Sequence, residues 1–129
     1  MFNFSKNSLD KMEGVHQDLQ DVAHLALELS SIDFGISEGC RKMCTQREFV
    51  RTGVSQTMNS RHLTGHAIDV FAYVGGQARW EWELYAEINK AFKKAAKILK
   101  VDITWGGSWT TFKDGPHYQL NWASYPIQP

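Results

Sequence analysis

The stretch SRHLTGHAIDVFAY, residues Ser60–Tyr73, joins a polar loop to a short apolar segment. Its second half, Ala67–Tyr73, is rich in β-branched and aromatic residues, which predicts a strand, and Asp69 is the one acid within it. A carboxylate among apolar residues costs free energy unless it is paired or bound to a metal ion. Gly65 permits a sharp turn between His62 and Asp69, so we expect the loop and the strand to converge on one point.

A second segment with the chemistry of a metal site lies far downstream, where Asp114 precedes His117 by three residues. His117 begins a short predicted strand. If the two strands are antiparallel neighbours, Asp69 and His117 stand side by side, and His62 completes the group from the loop. Two neutral imidazoles and one carboxylate suit Zn²⁺ and leave a fourth position open for water. Asp114, on the loop side of His117, is placed to take the proton of that water.

Each of these residues also has an ordinary structural explanation. His62 alone would be a polar loop histidine, Asp69 could pair with an arginine, and His117 could be a half-buried strand histidine. His66 is a rival ligand, because the spacing His62-x-x-x-His66 would put two imidazoles on one helical face. Gly65 and the lack of a glutamate after His62 argue against such a helix. We therefore expect His66 either to contact the metal ligands without binding the metal itself or to be exposed.

Length and composition limit the classes of protein that fit. A chain of 129 residues predicts a single domain over residues 1–129, and the predicted zinc site would make it a catalytic domain. Lys plus Arg equals Asp plus Glu, at 14 each, so we expect no nucleic-acid partner. No run approaches about 18 apolar residues and the N-terminus lacks the apolar core of a signal peptide, so neither membrane insertion nor a secretion signal is expected. Cys40 and Cys44 are expected to be free thiols.

Helical and strand patterns alternate irregularly along the chain. Apolar spacing predicts a long helix that begins at Ser8 and ends near Ser30, and a second long helix over Trp80–Lys100. Thr45–Glu48 has capping-box form and predicts a short helix that ends at Gly53. The other predicted elements are short strands and one turn: a strand through Phe34 and Ile36, the strand Ala67–Tyr73, a turn at Gly75-Gly76, and strands at Ile103–Trp105 and His117–Leu120. This order predicts an α+β fold in which helices flank a small antiparallel sheet that carries a zinc site.

Several motifs resemble those of a known enzyme family. Residues 60–69 are similar to the S-x-H-x-x-G-x-A-x-D signature of zinc D,D-carboxypeptidases and L-alanyl-D-glutamate endopeptidases, a family that includes the vancomycin-resistance-type D-Ala-D-Ala peptidases. Trp105-Gly106-Gly107-x-Trp109 and Asp114-x-x-His117 resemble its C-terminal pattern, and Gly39-Cys40-Arg41 resembles its G-x-R. The resemblance covers roughly residues 8–120 and is strongest to single-domain phage endolysins. Ser108 stands where phage relatives often carry an acid, so regulation by an ion bound there is not expected.

Carried onto the matching positions, the resemblance implies a zinc peptidase. The implied metal ligands are three, namely His62, Asp69 and His117. Asp114 is implied as the general base and acid, and Arg41 as the group that stabilises the oxyanion of the scissile carbonyl. Ser60 and Trp105 are implied as substrate-binding residues.

The function implied by the resemblance is that of a phage endolysin. Such a zinc metallopeptidase hydrolyses the L-alanyl-D-glutamate bond of peptidoglycan stem peptides, degrades the host cell wall and causes lysis. It is made in the host cytoplasm and reaches the periplasm and cell wall by holin-type release. We expect a monomer whose partner is the stem peptide. Two alternatives stay open: a D-Ala-D-Ala carboxypeptidase or dipeptidase, and a non-catalytic peptidoglycan-binding zinc module closed by a fourth ligand from Cys40 or Cys44.

Overall fold

One antiparallel sheet of five short strands organises the part of the chain that the structure describes. The structure is a computed structural model, and it describes residues 2–39, 65–108, 115–121 and 123–125. The elements in chain order are α1 (Lys6–Lys11), α2 (Gln17–Leu29), β1 (Asp33–Glu38), β2 (Ala67–Val74), β3 (Gln77–Arg79), α3 (Trp82–Leu99), β4 (Ile103–Trp105), a 3₁₀ turn (Gly106–Ser108) and β5 (His117–Leu120). The predicted mixture of helices and antiparallel sheet is therefore confirmed. The short helix predicted over Thr45–Gly53 lies outside the described residues.

Strand β2 is the centre of the sheet. It pairs with β1 along one edge, and along the other edge with β5 near its start and β3 near its end. Strand β4 then pairs with β5. Strand β3, which was not predicted from the sequence, forms a hairpin with β2 through the predicted turn at Gly75-Gly76. Both glycines have positive φ, 63° and 81°, as a two-residue type I′ turn requires.

The two faces of β2 differ in burial. Ile68, Val70 and Ala72 are fully buried, whereas Asp69 and Phe71 between them are only partly buried. Alternate residues of a strand point to opposite faces, so the even-numbered side chains face the core. The acid that the sequence places within the strand therefore lies on the other side of the sheet.

Aromatic rings join α3 to the core side of the sheet. Phe92 of α3 lies between Phe34 of β1 and Tyr118 of β5, with ring centroids 5.4 and 3.8 Å away. Burial of such a ring stabilises the fold by roughly 1.5–3 kcal/mol. The Tyr118 hydroxyl donates to the side-chain oxygen of Asn89 at 3.3 Å, and burial raises the pKa of Tyr118 well above its usual range. These contacts hold α3 on one face and leave the face of Asp69 for the site.

The single long helix predicted from Ser8 to Ser30 is wrong, because two helices occupy this region. The chain turns between them at Gly14, whose φ of 85° is left-handed and unstrained only for glycine. Helix α2 begins after His16, whose Nδ1 accepts a hydrogen bond from the backbone N–H of Asp18 at 3.1 Å. Apolar spacing does not indicate that His16 caps a helix, so the spacing alone predicts one continuous helix across the turn at Gly14.

Ser8 lies within α1 rather than at the beginning of a helix. Ser5 caps α1, since its hydroxyl accepts a hydrogen bond from the backbone N–H of Ser8 at 3.2 Å. The Ser8 hydroxyl is buried and accepts from the backbone N–H of Ile36 at 3.0 Å. Ser8 therefore joins α1 to β1. Leu29 continues the apolar spacing of α2, yet it lies at the end of the helix and is exposed, whereas Leu27 is buried.

Helix α3 begins two residues later than predicted. Trp80 precedes it and is 66% exposed, although apolar spacing predicts that Trp80 leads the buried face. Spacing alone does not distinguish an exposed indole from a buried one. The helix ends at Leu99, and Lys100 adopts a left-handed φ of 59°. The buried face of α3 is formed mainly by Tyr85, Ile88, Ala91, Phe92 and Ala95.

Candidate active site

Asp69 of β2 and His117 of β5 meet on the side of the sheet opposite α3. The two residues are direct cross-strand partners, and His117 Nδ1 lies 3.0 Å from Asp69 Oδ1. His117 is 6% exposed and Asp69 is partly buried. The pairing of β2 with β5 thus brings together two of the three predicted metal ligands. Their role as ligands stays a prediction.

Gln119 contacts the ring nitrogen of His117 that lies away from Asp69. The Gln119 amide oxygen lies 2.8 Å from His117 Nε2, and Gln119 is also buried. With the Gln119 amide in this orientation, its oxygen accepts and Nε2 is the donor. In the neutral ring, Nδ1 then keeps a lone pair that faces the Asp69 carboxylate.

This arrangement of lone pairs fits a cation between Asp69 and His117. A carboxylate oxygen and an imidazole lone pair repel at 3.0 Å unless a proton or a metal ion lies between them. Two ligand atoms of tetrahedral zinc, each about 2.0–2.2 Å from the metal, stand roughly 3.3–3.5 Å apart. The observed distance is a few tenths of an ångström shorter. The hydrogen bond to Gln119 is the kind of outer contact that orients a ligating imidazole, so the donor set suits zinc.

Glu38 of β1 adds a second carboxylate, which the sequence analysis missed. A β-bulge between Ile36 and Glu38 makes Glu38, rather than Ser37, the cross-strand partner of Asp69. Directly opposed side chains have Cβ atoms about 4.5–5.5 Å apart. Glu38, Asp69 and His117 therefore form one row across β1, β2 and β5.

The remaining predicted site residues lie in other parts of the chain. Four of them are outside the described residues: Arg41, Ser60, His62 and Asp114. Cys40 and Cys44 are outside them too. Within the described ranges, no three His, Cys, Asp or Glu side chains are grouped so that they could hold a metal ion. A metal bound by Asp69 and His117 therefore needs a ligand from elsewhere in the chain, and His62 is the one that the sequence predicts.

Trp105, predicted to contact substrate, lies at the end of β4. Its cross-strand partner is Tyr118, and directly opposed residues share a face, so the indole lies on the α3 side. There its ring centroid is 5.4 Å from that of Trp82. Its Nε1–H donates to the carbonyl oxygen of Gly115 at 2.7 Å. A contact between Trp105 and substrate stays a prediction.

His66, the rival ligand, precedes β2 and is half-buried. Its ring centroid lies 5.8 Å from that of His16, and its carbonyl oxygen accepts a hydrogen bond from the backbone N–H of Leu120 at 2.9 Å. These contacts join the start of β2 to α2 and to the end of β5. In the described part of the chain, His66 forms no three-residue metal group with Asp69 and His117.

Comparison with known proteins identifies one family. The family model described as "Phage L-alanyl-D-glutamate peptidase" matches residues 1–120. The L-alanyl-D-glutamate peptidase of Escherichia phage T5 is 36% identical over 117 residues, which cover 88% of this chain and 85% of that protein. The peptidase of the same name from Listeria phage A118 is 38% identical over 98 residues. That match covers 76% of this chain but only 34% of the Listeria phage protein, so the chain spans about a third of its length.

A solved structure agrees with the sequence relatives. The crystal structure of the Serratia marcescens L-Ala D-Glu endopeptidase ChiX superposes with a TM-score of 0.93 at 49% sequence identity. The match covers 98% of this chain and 95% of the Serratia chain. The likeness therefore extends over both the helices and the sheet that carries Asp69 and His117.

Proposed function

The chain belongs to the phage L-alanyl-D-glutamate peptidase family and is a peptidoglycan-hydrolysing endolysin, and we propose that it cuts its substrate as a zinc peptidase. The bond hydrolysed is the one between L-alanine and D-glutamate in the stem peptide. One observation supports the zinc site best: Asp69 and His117 face each other across two strands at 3.0 Å, with Gln119 on the far nitrogen of the imidazole. His62 is the proposed third ligand.

The proposed mechanism divides the work among the residues of this chain. Zinc bound at the three ligands would polarise the scissile carbonyl and lower the pKa of water at the open position to about 7. Asp114 takes a proton from the attacking water and passes it to the departing amine of D-glutamate. Arg41 donates hydrogen bonds to the carbonyl oxygen as negative charge develops there. Ser60 is proposed to bind the stem peptide.

Gln119 is expected to raise zinc affinity through the tautomer of His117. Replacing Gln119 by leucine removes the acceptor that Gln119 provides at Nε2 and should weaken zinc binding about 10–100-fold, as is usual when an outer hydrogen bond to a ligating histidine is lost. Competition with a chromogenic chelator measures this affinity. Gln119→Glu is the matched variant, because its carboxylate still accepts from Nε2. Equal zinc affinities for the leucine and glutamate variants would contradict the proposed role.

The route to the substrate is also part of the proposal. None of the described helices is long and apolar enough to cross a membrane. We propose that the enzyme is made in the host cytoplasm and reaches the wall when a separate holin opens the inner membrane. The enzyme is proposed to act there as a monomer on the stem peptide.

Digestion of purified Gram-negative peptidoglycan by the wild type and by Asp114→Ala tests the proposed function. Mass spectrometry should find glycan that keeps only L-alanine, together with peptides that begin with D-glutamate. Asp114→Ala should bind one zinc ion as the wild type does, yet cleave about 10²–10⁴-fold more slowly, because it lacks the proton-transfer group. Release of terminal D-alanine would instead identify a carboxypeptidase. Zinc binding without any cleavage would identify a binding module, and cleavage by the metal-free protein would refute the zinc mechanism.

A further inference from the structure

The turn that leads into β5 is held from two sides. The carbonyl oxygen of Gly115 accepts the indole N–H of Trp105 at 2.7 Å. The carbonyl oxygen of the next residue, Pro116, accepts the backbone N–H of Val70 at 2.9 Å. Val70 directly follows Asp69 in β2. The same turn therefore connects Trp105 with two of the three proposed ligands, Asp69 and His117, since His117 is the residue after Pro116.

The Trp105 indole is packed on the face of the sheet away from these ligands. Its strand partner Tyr118 is fully buried against α3, whereas His117, one residue earlier, points to the opposite face. The Trp105 ring lies beside that of Trp82 at the beginning of α3, with an interplanar angle of 30°. Within the described residues, the hydrogen bond to the Gly115 carbonyl is what links Trp105 to the site.

Gly107 provides the space that this indole occupies. A Cβ atom at Gly107 would lie 2.3 Å from a ring carbon of Trp105, which no side chain can accept without displacement of the ring. Gly107 is not among the described glycines with positive φ, so the backbone conformation does not require glycine there. The close approach of the indole explains this glycine of the Trp105-Gly106-Gly107 motif.

Gly115 also lies close to Trp82 and Tyr85 of α3. A Cβ atom built at Gly115 would lie 3.4 Å from the ring of Trp82 and 3.5 Å from the Cβ of Tyr85. The Tyr85 hydroxyl in turn donates to the carbonyl oxygen of Arg79 at 3.1 Å. The turn thus lies on the first residues of α3, and Trp105 fixes the direction of its first carbonyl group.

We propose that Trp105 is a positioning residue for the reaction and not a substrate contact. By holding the Gly115 carbonyl, it places His117 opposite Asp69 and orients the chain next to Asp114, the residue that precedes Gly115. This inference rests on the proposed zinc peptidase function. The two roles considered for Trp105 affect different kinetic constants. Loss of a substrate contact raises KM, whereas displacement of a catalytic group lowers kcat.

Two independent variants disturb this hydrogen bond. Trp105→Phe keeps an aromatic ring beside Trp82 but removes the N–H donor. Gly107→Ala keeps the indole but displaces it. Trp80→Phe is the matched control, because it makes the same substitution at a tryptophan that is 66% exposed and precedes α3.

Zinc affinity, kcat, KM and the melting temperature are measured for all four proteins. We expect both test variants to bind zinc about tenfold more weakly. At saturating zinc, their kcat should fall about tenfold or more while KM stays within about twofold of the wild type. Long-range ¹⁵N–¹H spectra of the histidine rings provide a readout without metal. In these spectra the signals of His117 should shift in both test variants and stay in place in Trp80→Phe.

Other results would overturn the inference. A rise in KM alone would show that Trp105 contacts substrate, as predicted from the sequence. The hydrogen bond would have no role in the site if the test variants matched Trp80→Phe in zinc affinity, kcat and His117 signals. The same conclusion would follow if their losses of zinc affinity and kcat were explained by the fraction of unfolded protein alone. If Trp105→Phe does not fold, Gly107→Ala decides by the same criteria. Failure of the proposed function is recognised separately, since the wild type would then lack zinc or cleavage while its His117 signals still report on the turn.

Discussion

His117→Ala is expected to lower zinc affinity by at least about a hundredfold and to remove peptidoglycan hydrolysis at zinc concentrations that saturate the wild type. Zinc bound in small protein sites has a binding free energy on the order of 10 kcal/mol, so one of three ligands accounts for about 3 kcal/mol. The loss of peptidoglycan hydrolysis should be complete rather than partial, because Gln119 and Asp69 both contact the His117 ring that the substitution removes. Chelator competition and the release of peptides from peptidoglycan measure the two effects.

His24→Ala is the matched control for this variant. His24 lies on the exposed side of α2, where its ring packs against Phe4 with centroids 5.1 Å apart. The control should bind zinc and cleave peptidoglycan as the wild type does. Because His117 is buried, the melting temperatures of the metal-free proteins must also be compared. Undiminished zinc affinity in a folded His117→Ala protein would eliminate His117 as a ligand.

The central strand pair could be predicted from sequence because local patterns determine it. An apolar run with one acid predicts β2, and a histidine after Gly115-Pro116 marks the beginning of β5. Antiparallel pairing of these strands was enough to expect Asp69 beside His117, and the structure has them as cross-strand partners. The alternation within β2 likewise follows from period-two spacing.

The features that sequence analysis missed depend on contacts between distant segments. The bulge that places Glu38 opposite Asp69 depends on the register between β1 and β2, which no local pattern encodes. Gly14 and the cap from His16 break a helix that apolar spacing alone would continue. Gln119 could have been found, since His117-x-Gln119 puts both side chains on one face of a strand.

The contact between Trp105 and Gly115 is a further feature of this kind. The motif Trp105-Gly106-Gly107 suggests an aromatic group near the site, but it does not indicate which face of the sheet the indole occupies. That face follows from the pairing of Trp105 with Tyr118 and from the packing of Tyr118 on Phe92. Tertiary structure therefore decides whether the tryptophan faces substrate or supports the turn.

Asp69→Asn should separate metal binding from the stability of the fold. Zinc at about a thousandfold excess over its Kd should raise the unfolding free energy of the wild type by about 4 kcal/mol, because it binds only the folded state. The variant keeps the shape of the side chain but loses the charge, so we expect this zinc-dependent increase to disappear. Without zinc, the asparagine amide can donate a hydrogen bond to His117 Nδ1, where the wild type has a carboxylate oxygen facing the lone pair of that nitrogen. The metal-free variant should therefore be at least as stable as the metal-free wild type. Urea unfolding with zinc and with a chelator measures both quantities.

Asp33→Asn provides the same substitution on β1, away from the row of Glu38, Asp69 and His117. Burial raises the pKa of Asp33, and a carboxyl group whose pKa is raised in the folded state contributes stability that is present at low pH and lost as the pH rises through that pKa. At neutral pH its carboxylate therefore opposes folding, and Asp33→Asn should be neutral or stabilising while the full zinc response remains. If Asp69→Asn instead kept the zinc response and lost stability without metal, Asp69 would be an ion-pair partner of His117 and the zinc site would have to lie elsewhere.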